Sequence, residues 1–183
     1  GNGSVSIVTG SNMSGKSTFL RTLGINAVLA YAGAVVSAQS MSIGLMRIFT
    51  GMRTEDNLEE HISSFYAELK RIRQLLDYIE EEGHSVLYML DEILKGTNTK
   101  DRHRGSEALI RKLATKRALG FVSTHDLELG QLADNEGRIR NYSFNSEIHD
   151  NEIIFDYKIA DGICRSFNAS MLMKKIGILE DEK

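Results

Sequence analysis

Residues 10–17 read GSNMSGKS, from Gly10 to Ser17, and match the pattern G-x-x-x-x-G-K-[ST]. A β-branched run at residues 5–9, Val-Ser-Ile-Val-Thr, precedes the match and predicts a buried strand. From Lys16 to about Tyr31 the sequence favours a helix. A strand, a glycine-containing loop and a helix in this order are the context that the pattern needs in order to cradle phosphate groups.

The residue types of this loop suit an anion. Its glycines let the backbone turn so that several N–H groups point at one anion, and the following helix adds the positive end of its dipole. Lys16 is predicted to reach the β- and γ-phosphates of ATP, and the Ser17 hydroxyl to ligate Mg²⁺. The predicted cofactor-binding residues of the loop are Gly10, Ser11, Asn12, Met13, Ser14, Gly15, Lys16, Ser17 and Thr18.

A second predicted strand, residues 85–90, runs directly into Asp91 and Glu92. Two carboxylates after a buried strand are costly unless a cation or a reaction needs them. We expect Asp91 to hold the Mg²⁺ shell and Glu92 to orient and deprotonate the attacking water. The alternative is a pair at the start of a helix on a surface loop.

A third predicted strand, residues 119–123, is followed by Thr124 and His125. Ligands bind beyond the carboxyl ends of parallel strands, so His125 could reach the γ-phosphate or the attacking water. A capped surface side chain is the alternative. The predicted catalytic residues are therefore Glu92, His125 and Lys16.

The remaining pattern completes an α/β domain. Alternating strands and helices indicate a three-layer fold with a mostly parallel sheet, and a final hairpin indicates an antiparallel edge. Apolar residues at three- and four-residue steps predict a helix at Leu58–Glu82, although this spacing also fits a short coiled-coil seam. The other predictions are one or two strands at Met41–Met52 with a bend near Gly44, helices at residues 102–115, Leu127–Leu132 and Ala169–Ile176, and hairpin strands at Arg138–Phe144 and Glu152–Ile159.

Composition narrows the possible functions. The 183 residues suit one domain, and the net charge of −3 argues against this segment as the main nucleic-acid surface. The basic run from Lys100 to Arg104 fits a solvated helix start better than a phosphate-binding patch. The single cysteine favours a cytoplasmic location. Because the chain has no apolar run of about 18 residues, we expect no membrane contact by this segment. Because the motif comes so early and no initiator Met precedes it, residues 1–183 are expected to be one domain cut from the C-terminal part of a longer protein.

Several strings resemble the ATPase domain of the MutS mismatch-repair family. TGSNMSGKST at residues 9–18 resembles T-G-P-N-M-G-G-K-S-T, with Ser11 for proline and Ser14 for glycine. LDEILKGTNT at residues 90–99 resembles M-D-E-I-G-R-G-T-S-T, and STH at 123–125 resembles A-T-H. DGICRSFN at 161–168 resembles D-G-x-x-x-S-Y/F-G, with Asn168 for glycine. The resemblance extends over nearly the whole chain, and its departures suggest a divergent branch.

The resemblance implies a P-loop NTPase of the ABC type that binds ATP and Mg²⁺ and hydrolyses the nucleotide. It implies a homodimer through facing ATPase domains, and DNA contact through domains of the parent protein that precede this one. Ser63, in the string Ser63-Ser64-Phe65, matches the serine with which each domain completes its partner's site, although Ser63-Ser64 equally suits a polar helix face. Residues 60–62 are Glu-His-Ile where the family often has glycines. Tyr157 falls roughly where the family contacts the adenine.

Two functions from different classes stay open. The first is an ATPase motor of a DNA-repair protein, in which ATP binding joins two domains and hydrolysis releases them. The second is a nucleotide-gated interaction module with slow hydrolysis and no DNA role. The pair Asp91-Glu92 and His125 favour the first, whereas the acidic balance mildly favours the second. A GTPase is disfavoured because no N-K-x-D string occurs in the sequence. A transporter or chromosome-maintenance ATPase is disfavoured because no L-S-G-G-Q-like string occurs. A small-molecule kinase would seldom carry the Asp-Glu pair.

Overall fold

The structure is a computed structural model, and it describes residues 3–52, 61–81, 85–133, 137–149, 152–165 and 173. Strands and helices alternate along the first two thirds of the chain, and two long strands follow. In chain order the elements are β1 (Ser4–Thr9), α1 (Lys16–Tyr31), β2 (Arg47–Gly51), α2 (His61–Glu80), β3 (Val86–Asp91), α3 (Thr99–Ala114), β4 (Ala118–Thr124), a 3₁₀ helix (Leu127–Leu132), β5 (Ile139–His149) and β6 (Glu152–Asp161).

The described strands form a six-stranded sheet in the order β2-β3-β4-β1-β5-β6. Neighbouring strands from β2 to β5 are parallel, and β5 pairs with β6 in the antiparallel direction. The predicted α/β class, with a mostly parallel sheet and an antiparallel edge hairpin, is therefore confirmed. Because β3, β4 and β1 are adjacent and parallel, their carboxyl ends lie side by side at one edge of the sheet.

Alternate residues of the central strands face opposite sides of the sheet. On one side Val5 and Ile7 of β1 pack with buried leucines of α2 and α3, among them Leu75 and Leu113. On the other side Val8 packs with Leu20 of α1, Met89 of β3 and Phe144 of β5. The sheet is thus covered on both sides, as its long β-branched and apolar runs predict. The apolar stripe of α2, which also fits a coiled-coil seam, packs on this core.

Several predicted boundaries differ from the structure, among them the ends of the hairpin strands, since β5 continues beyond Phe144 to His149 and β6 beyond Ile159 to Asp161. Only Arg47–Gly51 of the predicted strand region Met41–Met52 is a strand. No described strand pairs with residues 41–46. Instead, the Tyr31 hydroxyl donates to the Gly44 carbonyl (2.8 Å) and accepts from the Met46 N–H (3.1 Å). Helix α3 begins at Thr99 and not at residue 102. The cause is a cap, because the Asn98 side chain accepts from the Asp101 N–H at 3.0 Å.

Other predictions lie outside the described residues. These are the predicted start of the long helix at Leu58 and the final helix Ala169–Ile176 apart from Met173, which is helical. The long helix ends at Glu80, before its predicted end at Glu82. Across the described ranges, no helix has the length and apolar character needed to cross a membrane.

Candidate functional site

The loop Gly10–Ser17 joins β1 to α1 and closes on itself. The Ser14 hydroxyl is buried and donates to the Ser11 carbonyl at 2.8 Å. Gly15 has a φ of +100°, a conformation that side chains rarely adopt. A Cβ atom at Gly10 would lie 2.6 Å from the Ser14 hydroxyl. The glycines of the motif are therefore required by the backbone path of the loop.

Lys16 turns inward toward this loop. Its side chain is buried, with 3% of the residue exposed, and its amine donates to the carbonyls of Gly10 (2.8 Å) and Ser11 (2.7 Å). Burial lowers the pKa of the Lys16 amine, and the charges of Glu92 and Asp91 oppose that effect. Within the described part of the chain no carboxylate lies within ion-pair distance of this amine. A buried ammonium with three N–H groups and two carbonyl partners can take an anionic acceptor.

The first turn of α1 also offers donors. Gly15 caps the helix without a side-chain hydrogen bond, and the first turn contains no acidic residue. The N–H groups at such a helix start lack intrahelical partners and carry partial positive charge. Ser17 is half-buried and Thr18 is exposed in this turn, whereas Asn12 and Met13 project from the loop into solvent. The Lys16 amine and the N–H groups of the first turn of α1 are therefore the donors that an anion could use at this loop.

Asp91 and Glu92 follow one another where β3 ends. One carboxylate oxygen of Asp91 accepts a hydrogen bond from the Ser123 hydroxyl on β4. No described residue bonds the second oxygen, which could therefore bind a cation. The Glu92 N–H donates to the Ser123 carbonyl at 3.1 Å. Glu92 and Leu94 have φ values of +48° and +59°, which non-glycine residues rarely adopt and which cost about 1–3 kcal/mol each. This strained turn directs the Glu92 side chain away from the strand.

The Glu92 carboxylate lies between two bases. One oxygen is ion-paired with the Lys95 amine, and the other is 3.6 Å from the His125 Nδ1 atom. Burial raises the pKa of the Glu92 carboxyl, but Lys95, His125 and Lys16 together outweigh burial and hold it below its usual value. The carboxylate is therefore ionised at neutral pH and able to accept a proton. The His125 Nδ1 atom is buried and makes no hydrogen bond to any described residue.

Three strand ends thus bring together the residues that the sequence singles out. Lys16 follows β1, Asp91 and Glu92 end β3, and His125 follows β4. Ser63 lies within α2, but its side chain is outside the described residues. The arrangement combines a buried cation, donors for an anion, a carboxylate for a cation and an ionised carboxylate beside an imidazole.

Tyr157 reaches this loop through a bulge in β6. Phe144 pairs with Ile159 and Ser146 with Phe155, so that two residue steps on β5 face four steps on β6. Tyr157 lies in this bulge with a φ of +54° and is 64% exposed. A Cβ atom built on Gly15 would be 3.2 Å from its ring. The bulge therefore places an exposed aromatic ring against the Gly10–Ser17 loop.

Sequence reasoning missed three residues that shape this site. Ser123 holds Asp91 and the Glu92 backbone, and Lys95 holds the Glu92 side chain. Glu68 of α2 accepts a hydrogen bond from the Leu94 N–H, and burial raises the pKa of its carboxyl. The sequence did contain signals for two of them. Ser123 is a polar residue in the buried string at residues 121–123, and Lys95 is a lysine three residues after Glu92. Glu68 had none, since it is one of several charged residues on a long helix.

Comparison with protein-family models adds one finding. Residues 6–177 match the model described as MutS domain V. The matched range contains the loop, all three strand ends and the β5–β6 hairpin.

Proposed function

This chain belongs to the MutS family, and from that premise we propose that it is the ATP-binding and ATP-hydrolysing motor domain of a MutS-like DNA-repair protein. Membership of the family suggests a DNA-repair role. In the proposed cycle, binding of ATP with Mg²⁺ closes a homodimer of facing domains on DNA, and hydrolysis reopens it. Contact with DNA is assigned to other domains of the parent protein, because this segment carries a net charge of −3.

The observation that carries the proposal is the meeting of three strand ends. β3, β4 and β1 are adjacent in the sheet, so that Lys16, the pair Asp91-Glu92 and His125 share one edge. The negative charges of Glu92 and Asp91 raise the pKa of the Lys16 amine against the opposite effect of burial. Ligands of open parallel sheets bind in this position.

The loop residues suit a triphosphate and its cation. Lys16 would exchange its carbonyl acceptors for phosphate oxygens, and the N–H groups of the first turn of α1 would take the others. Ser17 and Asp91 would hold Mg²⁺, since a hydroxyl and a carboxylate oxygen are ligands that this ion accepts. When bound, Mg²⁺ neutralises charge that develops on the phosphate oxygens.

Hydrolysis is assigned to the side chains of Glu92 and His125, next to the proposed phosphate and Mg²⁺ site. Glu92 is ionised and would take the proton of the attacking water. His125 would orient that water or the γ-phosphate through the nitrogen atom that has no hydrogen bond to a described residue. Tyr157, whose ring lies against Gly15, is proposed to contact the adenine, and Ser63 of the partner domain to complete the site in trans.

A Glu92→Gln variant tests the hydrolytic step. The amide keeps the shape of the side chain but cannot accept a proton as a base, so ATP binding should persist while turnover falls at least about a hundredfold. Binding is measured by titration calorimetry and turnover by steady-state phosphate release. The matched control is Glu152→Gln, an exposed position on β6. Normal turnover in Glu92→Gln would assign the base to another residue.

DNA dependence separates the two functions that the sequence leaves open. Steady-state ATP hydrolysis by the full-length parent protein is measured without DNA and with homoduplex, mismatched and branched DNA. Stimulation by one of these supports the repair motor and identifies its ligand. ATP binding with slow hydrolysis and no response to any DNA would instead favour a nucleotide-gated interaction module.

A further inference from the structure

His103 and Asp126 form a hydrogen-bonded pair just behind the candidate site. The His103 Nδ1 atom lies 2.7 Å from an Asp126 carboxylate oxygen, and the two side chains are 32% and 18% exposed. An ionised carboxylate can only accept, so the proton of this hydrogen bond is on Nδ1. The tautomer of His103 is thereby fixed.

Asp126 makes two further hydrogen bonds, one through its side chain and one through its backbone. Its second carboxylate oxygen accepts from the Glu128 N–H at 3.1 Å and caps the 3₁₀ helix. Its own N–H donates to the Thr124 hydroxyl at 3.0 Å. These bonds fix the backbone on both sides of His125, which directly precedes Asp126. A shift of the Asp126 side chain would therefore also shift the His125 backbone.

His103 lies on α3, whereas Asp126 and His125 lie on the segment that follows β4. His103 lies one turn into α3, and the segment that leads into α3 carries Glu92 and Lys95. A small pocket lies between these two segments, and its lining includes Glu92, Arg102, Ser106, Thr124 and His125. The His103–Asp126 hydrogen bond joins α3 to the segment after β4, and Asp126 is also one of the residues that line this pocket.

We propose that His103 and Asp126 are a positioning pair that sets the distance between His125 and Glu92. The inference rests on the proposed function, in which these two residues handle the attacking water. The His125 Nδ1 atom is 3.6 Å from the Glu92 carboxylate, and no hydrogen bond to a described residue holds that atom. The position of the imidazole therefore depends on its backbone, and the pair fixes that backbone relative to α3.

The pair also responds to pH. The hydrogen bond to Asp126 raises the pKa of His103 against the opposing effect of burial, and Glu128 of the 3₁₀ helix and Glu107 of α3 add to the increase. A raised pKa in the folded state means that the charged pair stabilises the fold fully below the unfolded pKa of about 6.5, and that this contribution is lost as the pH rises through the folded value.

Two substitutions of His103 test the positioning role in the full-length protein. An asparagine amide can donate from almost the place of Nδ1, so His103→Asn keeps the bond, whereas His103→Leu removes it. We expect His103→Leu to lower kcat for ATP roughly ten- to a hundredfold, the scale of a misplaced catalytic group, with little change in KM. His103→Asn should keep most of the turnover. The matched control, Glu107→Gln, removes a nearby carboxylate that does not touch His103 and should leave kcat unchanged.

A second readout does not depend on catalysis. Imidazole resonances of His125, observed by nitrogen-detected NMR, should shift in His103→Leu and in Asp126→Asn, but not in Glu107→Gln. If the wild-type protein hydrolyses no ATP, the proposed function fails while this readout still decides the positioning role. Unchanged His125 resonances together with an unchanged kcat in His103→Leu would overturn the inference. An equal loss of kcat in His103→Asn and His103→Leu would also overturn it.

Discussion

At the scale of single residues, Glu92 is held by a cation that comes from its own loop. Lys95 lies three residues further along and pairs with one carboxylate oxygen, while His125 lies beyond the other. The ion pair makes Glu92 a weaker base than a buried carboxylate alone would be, because it favours the charged form. Lys95 therefore controls both the orientation and the basicity of the proposed base.

Replacing Lys95 with glutamine should change how activity depends on pH. Burial raises the pKa of Glu92, and the ion pair with Lys95 is the largest effect that opposes it. Without the lysine, the pKa of Glu92 rises, so protonation begins at a higher pH. The acid limb of the kcat–pH profile should move toward neutral pH in Lys95→Gln, measured by phosphate release between pH 5 and 9.

Lys95→Arg is the matched control, since it keeps the positive charge and should keep the acid limb near its wild-type position. The same carboxyl also affects stability. A carboxyl with a depressed pKa stabilises the fold above its unfolded pKa and loses that contribution as the pH falls through the folded value. An acid limb that does not move in Lys95→Gln would show that Glu92 is not the group that titrates in kcat.

The residue types of the site could be predicted because each one follows a strong local pattern. Lys16 lies in a glycine-containing motif, and Asp91, Glu92 and His125 follow buried apolar runs. The partners could not be predicted in the same way. Glu68 reaches the Leu94 N–H across 26 positions, and His103 reaches Asp126 across 23. Such contacts depend on how helices pack on the sheet, which local periodicity does not specify.

At the scale of elements, the contact between β3 and β4 depends on a glycine. Tyr88 of β3 is fully buried and faces Gly120 of β4 in the parallel register. A Cβ atom at Gly120 would lie 2.2 Å from the Tyr88 carbonyl oxygen and 2.4 Å from its ring. The ring occupies the space that a side chain on β4 would need. Two of the three strand ends of the site are joined through this contact.

A Gly120→Ala substitution should therefore destabilise the domain. The added methyl group forces the strands or the Tyr88 ring to move, and overpacking of this kind costs about 1–3 kcal/mol. The free energy of unfolding is measured by urea denaturation. Leu119→Ala, at the neighbouring and partly exposed position, is the control and should cost less. An unchanged urea midpoint in Gly120→Ala would mean that β3 and β4 accommodate the methyl group without a cost in stability.

The bulge in β6 is an element-level feature that the sequence does not reveal. Alternation along residues 152–159 correctly predicts a strand, but the extra residues at 156–158 leave no periodic signal. Predicting the strand at Glu152–Ile159 therefore gave the element without the position of the Tyr157 ring, which the bulge directs toward Gly15. The predicted strand region before β2 is too long for a related reason, because no described strand lies beside its apolar residues.

Tyr157 should discriminate between the base and the phosphates of the nucleotide. If its ring contacts the adenine, Tyr157→Ala should weaken ATP binding by roughly five- to tenfold, on the scale of one aromatic contact, and leave inorganic triphosphate binding unchanged. Tyr157→Phe keeps the ring and should bind ATP normally. Both affinities are measured by calorimetry. An equal loss for ATP and triphosphate would place the effect of Tyr157 in the loop itself.

At the scale of the whole molecule, the proposed cycle needs two copies of the domain. A site completed in trans has its phosphate-binding lysine on one copy and its serine on the other. Lys16→Ala should remove the first contribution and Ser63→Ala the second. In a mixed dimer, one of the two sites recovers both intact residues.

Mixing the two inactive variants should therefore restore activity. With equal amounts and random pairing, half of the dimers are mixed and each has one intact site, so that about a quarter of wild-type turnover returns. Phosphate release is measured before and after mixing, with the wild-type protein as reference. Because each variant alone supplies the baseline, turnover that stays at that baseline, with dimers seen by light scattering, would exclude Ser63 as the trans residue.

The bulge that carries Tyr157 has a further consequence for the behaviour of the chain in a crowded solution. β6 is the last strand in the described order of the sheet, and a regular edge strand invites pairing with strands of other molecules. The bulge interrupts the ladder in the middle of β6, and the exposed charges of Glu152, Asp156 and Lys158 lie along it. The irregularity that brings a ring to the loop therefore also disfavours pairing of strands from other molecules with this edge of the described sheet.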